Sequence, residues 1–112
     1  MVLIVITAWW PHDKANEVAK KYIEVAKKYP PDPSLGTTLT TAVKVTKDGI
    51  KALGIAEVVK GKVEDYVALA TKSQQEYASI AGFRYEVELY MDVVEALAVV
   101  GMKPPEEVPE IY

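Results

Sequence analysis

The chain contains no cysteine. That excludes a disulfide framework, a thiol nucleophile and any thiolate-held zinc or iron–sulfur site, and leaves the redox compartment open. Histidine is almost absent too: His12 is the single one. One imidazole does not make a metal site, so no metal and no other cofactor is expected. Arginine occurs once, at Arg84, while lysine and glutamate are abundant and side-chain amides are few, a bias that resembles a thermophile's. There is no basic stretch, and the net charge is −3. Phosphate backbones need concentrated cations, so nucleic acid is not an expected partner. Long hydrophobic runs are missing as well. The opening MVLIVITAWW is too short for a membrane span and lacks the basic flank and small-residue cleavage site of a secretory signal. A mature cytoplasmic chain with no membrane partner is expected.

At 112 residues a single domain spanning 1–112 is expected, large enough for a core and small enough that association adds noticeably to stability. What is present begins with a strand, Val2 to Trp10, apolar at both odd and even positions. Successive side chains on a strand point to opposite faces, so both faces here favour a dry environment. Pro11-His12-Asp13 ends it and opens a helix. Ala15, Val18, Ala19, Tyr22, Ile23, Ala26 and Tyr29 recur at helical spacing and form its expected buried stripe, and prolines 30, 31 and 33 stop it. Thr37 to Thr46 is β-branched and alternating, with Leu39, Thr41, Val43 and Val45 on one side and Thr38, Thr40, Ala42 and Lys44 on the other. Lys47-Asp48-Gly49 is hairpin chemistry leading into a strand from Ile50 to Val59. There the row Ile50, Ala52, Gly54, Ala56, Val58 is small enough for a helix to approach closely.

Lys62 to Ile80 predicts a second helix, buried along Val63, Tyr66, Val67, Ala70, Gln74, Tyr77 and either Ile80 or Ala81, and closed by Gly82. Phe83 to Tyr90 alternates cleanly between Phe83, Tyr85, Val87, Leu89 and Arg84, Glu86, Glu88, Tyr90, which suits an edge strand. Asp92 with Glu95 makes a capping box for a short helix ending near Val100, with a β-branched strand continuation as the rival. Val93, Val94, Leu97, Val99 and Val100 cannot all stay exposed in a stable monomer. The proline- and glutamate-rich tail from Lys103 to Tyr112 is expected to be extended.

The order βαββαβ is the ferredoxin-like pattern: an α+β fold with a four-stranded antiparallel sheet, two helices on one face and, here, a short C-terminal helix. Through Val2 to Trp10, the Asp48-Gly49 hairpin and the aliphatic strand Ile50 to Val59, the chain resembles the dimeric α/β barrel group. The resemblance covers a core of residues 1–90, leaving the C-terminal helix and tail at 91–112. It implies a homodimer, or a dimer of dimers, formed through helix-free sheet faces, with a pocket in the barrel or between helices and sheet. The group includes cofactor-free monooxygenases acting on polycyclic aromatics, small lactone isomerases, haem-degrading relatives and proteins with no assigned activity, and the fold does not choose among them.

No motif identifies a reaction. His12 beside Asp13 is a candidate general base, set against a solvated histidine at a helix start. Arg84 and Glu86 are the other catalytic candidates, set against an ordinary charged edge face with cross-strand pairing to Lys51 or Glu57. Trp9, Trp10, His12 and Tyr85 are the candidate ligand-binding residues, because tryptophan offers a large apolar area with one donor. Two functions follow as expectations. One is a small cytoplasmic homodimeric protein, of a stress-associated kind, binding a small apolar or aromatic ligand. The alternative is a cofactor-independent monooxygenase- or isomerase-type enzyme, for which a cavity joining His12 to at least two more titratable side chains is the requirement.

Overall fold

The computed structural model describes residues 1–103, so the expected extended tail falls, from 104 onward, outside the described residues. In chain order the elements are β1 (Val2–Trp10), a 3-10 turn (His12–Lys14), α1 (Ala15–Lys28), β2 (Gly36–Thr46), β3 (Gly49–Val58), α2 (Val63–Gln75), β4 (Arg84–Met91) and α3 (Val93–Val99). The class is α+β. One four-stranded sheet runs β2-β3-β1-β4, every neighbour antiparallel. β3 and β1, the strands richest in aliphatic residues, are therefore inside, and β2 and β4 are the edges.

Register explains which side chains share a face. Ile4 pairs with Ala56 and Leu89, Ile6 with Gly54 and Val87, Ala8 with Ala52 and Tyr85. Paired residues point the same way, and this face carries α2: Ile4, Ala56, Val58 and Ala70 are buried together, with Val63, Tyr66 and Val67 packed around them. Ile4 is 1% exposed, and removing a side chain of that size from water is worth roughly 1.5–3 kcal/mol. Of the stripe expected on α2, Val63, Tyr66, Val67 and Ala70 face the sheet, while Tyr77 and Ile80 fall beyond the helix in the cluster with Val18 and Val25. The helix ends at Gln75, however, and residues 76–81 continue as turns, with Tyr77 N–H donating to Gln74 O and Ile80 N–H to Tyr77 O before Gly82 turns the chain at φ 82°.

α1 departs from expectation. Val18 and Val25 are its buried residues, while Ala19, Tyr22, Ile23 and Ala26 are exposed. Together with Tyr29 at its own C-terminal end, it packs on the turns that follow α2 and on Trp10, against Tyr77, Ile80 and Phe83. Trp10, Phe83 and Tyr77 form a stack with ring centroids 6.0 and 4.6 Å apart. As a result no helix approaches the small-residue row at its middle: a Cβ built on Gly54 would meet nothing within 4 Å. The expected close approach occurs instead at Gly36, where such an atom would stand 2.6 Å from Tyr66 Cε2.

β2 carries a bulge between Thr38 and Thr40, so Thr38 faces the same side as Thr41, opposite to strict alternation. In the hairpin neither Lys47 nor Asp48 takes a positive φ. Gly49 does, at 150°, where a side chain would strike Trp10 O. α3 is a helix, not a strand extension. The Asp92 carboxylate accepts the Glu95 N–H at 2.8 Å, and the Met1 ammonium lies 2.9 Å from the same carboxylate, tying α3 to the start of β1. α3 buries none of its residues: in the single chain Val93, Val94, Val99 and Val100 are exposed and Leu97 is half-buried.

Candidate functional site

The face of the sheet opposite α2 is built from the odd residues of β1. Leu3, Val5, Thr7 and Trp9 run down its centre, joined by Leu53 and Ile55 of β3 through the pairs Thr7–Leu53 and Val5–Ile55. Thr7 is buried at 6% exposed and the others are half-buried. β4 contributes Arg84 beside Trp9, Glu86 beside Thr7, Glu88 beside Val5 and Tyr90 beside Leu3. The pairing of Arg84 and Glu86 with Lys51 or Glu57 expected from sequence does not form, because β1 lies between β4 and β3. Lys51 stands instead across Trp9, its ammonium 5.9 Å from the indole ring, where a cation is attracted to the ring face.

At the β4 edge of this face, Trp9, Phe83, Arg84, Tyr85 and Glu86 line an open depression of about 500 Å³. Four of the residues singled out from sequence, Trp9, Arg84, Tyr85 and Glu86, thus meet in one place. Phe83 was not singled out, although its position one residue before Arg84 at the start of the same strand was the available signal. The depression offers aromatic walls, one guanidinium and one carboxylate. Tyr85 is held from the α2 side, its hydroxyl accepting from Gln75 Nε2 at 3.2 Å. Further along β4 the Tyr90 hydroxyl donates to Glu88 at 3.1 Å, and this bond to a carboxylate raises the phenol's pKa.

His12 and Trp10 lie elsewhere. The His12 side chain is exposed and donates from Nε2 to Thr46 O at 2.5 Å, which pins the 3-10 turn to the hairpin. Trp10 points to the α2 side, stacked on Phe83, with its indole Nε1 buried and unpartnered among the described residues. Neither lines the depression. The described residues hold no group of three or more His, Asp or Glu placed to bind a metal ion.

No protein-family model matches the chain, and no curated protein matches it. Among solved structures it is similar to a de novo designed protein, Foldit4. The two share 13% identity over 81% of this chain and 97% of that one, with a TM-score of 0.50. At that identity the likeness concerns the fold alone.

A second depression, about 660 Å³, lies where α1 ends against α2, lined by Tyr29, Ala68, Thr71, Lys72, Gln75 and Glu76. Glu76 Oε1 accepts from Lys28 Nζ at 2.5 Å and from the Tyr29 hydroxyl at 3.0 Å. The Lys28 hydrogen bond, then that of Tyr29, lowers the Glu76 pKa, and Glu76 in turn raises that of Lys28. Both hydrogen bonds to Glu76 join the end of α1 to the end of α2 and act as a latch, while Gln75 reaches Tyr85 of β4. No helix of the described residues is long and apolar enough to cross a membrane.

Proposed function

We propose that the protein is a homodimeric, cytoplasmic binding protein of the ferredoxin-like, dimeric α/β barrel type. Its depression at Trp9, Arg84 and Glu86 takes a small aromatic ligand carrying an anionic group. The observation that carries this reading is the uncovered column of Leu3, Val5, Thr7 and Trp9 with Leu53 and Ile55, on the face opposite the one that receives α2. An apolar strip of that kind rimmed by charge is the signature of a binding surface. The element order βαββαβ and strand order β2-β3-β1-β4 support the ferredoxin-like assignment. Aromatic walls beside a single guanidinium support the ligand class, since arginine pairs with carboxylates and stacks on rings.

The enzyme alternative lacks its assembly. His12 bonds a main-chain carbonyl away from Arg84 and Glu86, and no described depression joins it to two further titratable groups. Sedimentation equilibrium with Val5→Glu tests the dimer: the wild-type chain sediments as a dimer at micromolar concentration and the variant as a monomer. A wild-type monomer at 100-fold higher concentration, on the order of 100 μM, refutes it. Titration with 2-naphthoate tests the site. The Trp9 indole resonance is expected to shift and Arg84→Gln to abolish the shift, whereas movement of Trp10 alone places binding elsewhere.

A further inference from the structure

The charges on the helix-free face are sorted along the strands. Because Trp9 pairs with both Arg84 and Lys51, and Lys51 pairs with Lys44, one end of the face is a continuous row of three cations around an indole. The carboxylates occupy the three remaining rows: Glu86 beside Thr7, next to the basic row, Glu88 beside Val5, and Glu57 beside Leu3 at the far end. None of these six side chains forms an ion pair within the described residues. Lys44 directly opposite Lys51, with Arg84 on the far side of Trp9, is unfavourable in a single chain, because like charges in cross-strand register repel. Turning a second copy end for end sets the basic row over the row of Glu57, so that Lys51 and Glu57 oppose each other twice and Arg84 comes within one row of Glu88.

We propose that two copies pack through this face with the twofold axis running across the strands, so that β1 lies antiparallel over β1 and the basic row of each chain covers the acidic end of the other. This rests on the sheet-face dimer proposed above and adds its orientation. Row by row, Lys51 meets the partner's Glu57, Arg84 reaches the partner's Glu88 past the partner's Tyr90, and Trp9 lies over the partner's Leu3. Thr7 and Leu53 meet the partner's Val5 and the partner's Ile55 at the centre, where Glu86 also stands over the partner's Glu88, a like-charge contact that Arg84, one row away, offsets. The other twofold, along the strands and through β1, sets Lys51 on the partner's Arg84 twice over with no carboxylate opposite either cation in the same row, and is disfavoured by the same Coulomb terms. The depression beside Trp9 and Arg84 is then roofed by the partner's Leu3 and the partner's Tyr90. The ligand site is complete only in the dimer.

Charge reversal separates the two orientations. In the end-for-end dimer Lys51→Glu sets a carboxylate against the partner's Glu57 twice over, and the dimer dissociation constant measured by sedimentation equilibrium at 20–50 mM salt, about the range where surface charges are least screened, rises by about 30-fold or more. Glu57→Lys alone does the same. The double variant Lys51→Glu/Glu57→Lys restores dimerisation to within about threefold of wild type. Tighter association of Lys51→Glu overturns the proposal, because only the parallel twofold gains from losing a cation in that row. Unchanged affinity in both single variants also overturns it. A wild-type chain that is monomeric throughout removes the dimer itself, a result distinct from a dimer that ignores these charges.

Discussion

Gly36→Ala and Gly54→Ala are the same chemical change on neighbouring strands, and the structure gives them opposite signs. Neither glycine has a positive φ, so alanine fits the backbone at both. At position 36 the new methyl would stand 2.3 Å from Glu57 O, a main-chain atom of the paired strand, and 2.6 Å from Tyr66 Cε2. Ordinary contact needs about 1 Å more on both sides, and a ladder carbonyl cannot move that far without losing its own hydrogen bond. Overpacking of this kind costs about 2–3 kcal/mol, against about 0.5–1 kcal/mol gained from a less flexible unfolded chain. A net loss near 2 kcal/mol follows. At position 54 nothing lies within 4 Å, so only the unfolded-state gain remains and stability rises by about 0.5 kcal/mol. Urea unfolding at one fixed protein concentration reads both effects. With m near ~1.3 kcal/mol/M for a domain of this size, the midpoint falls by about 1.5 M for Gly36→Ala and rises by about 0.4 M for Gly54→Ala, with m unchanged. A loss of ~1 kcal/mol or more at position 54 would show that a helix does sit over β3, and would refute the docking of α1 described above. A neutral Gly36→Ala would equally refute the close approach of Tyr66.

Ile4→Ala removes the side chain that Ala56, Val58 and Ala70 enclose, and small rigid neighbours cannot close the gap, so about 3–4 kcal/mol is lost in the same assay. Val99→Ala, on a side chain 74% exposed, stays within about 0.5 kcal/mol, and equal losses at the two sites would contradict the assignment of the core. Burial, and to a smaller degree the nearby Tyr22 phenol, push the Tyr77 pKa up to about 12. The folded state therefore holds this proton more tightly than the unfolded chain does. The stabilisation is complete below pH ~10, the unfolded value, and drains away between there and about 12. Tyr77→Phe should flatten that part of the stability profile, and an unchanged slope would place the loss elsewhere.

Period-two patterns were readable because each inner strand pairs on both sides. The split of β3 into Ala52-Gly54-Ala56 and Lys51-Leu53-Ile55 is the split that the register enforces. The first half of the α2 stripe was equally legible, since Val63, Tyr66, Val67 and Ala70 face one surface, whereas Tyr77 and Ile80 lie beyond the helix and pack with α1. α1 was not. Its apolar residues spread over a wide arc, Val25 at one margin and Ile23 at the other, and composition does not say which half is buried. The choice is made by the Trp10–Phe83–Tyr77 stack, whose members are far apart in sequence. The β2 bulge was invisible for a related reason: threonines 37, 38, 40 and 41 flank it, so the reversal exchanges one threonine for another.

The site was legible only in pieces. His12 drew attention through rarity, but rarity carries no geometry, and its role is to hold the Thr46 carbonyl. Trp9 and Trp10 were rightly placed on opposite faces by alternation alone, yet which of them sits near a cation depends on register: Lys51 and Arg84 flank Trp9 because β3 and β4 both pair with β1 at that residue. The same holds for the sorted charges. Along the chain, Lys44, Lys51, Glu57, Arg84, Glu86 and Glu88 alternate with apolar residues and look like unremarkable edge decoration. Their division into a basic row at Trp9 and carboxylates in the three rows beyond it exists only once the strands are aligned. A one-residue slip of β4 against β1 would turn Arg84, Glu86 and Glu88 toward α2, where burying them unpaired would cost several kcal/mol. The pressure that keeps them on the helix-free face thus comes from the core on the other side, and the polarity of the proposed interface follows from the packing of α2.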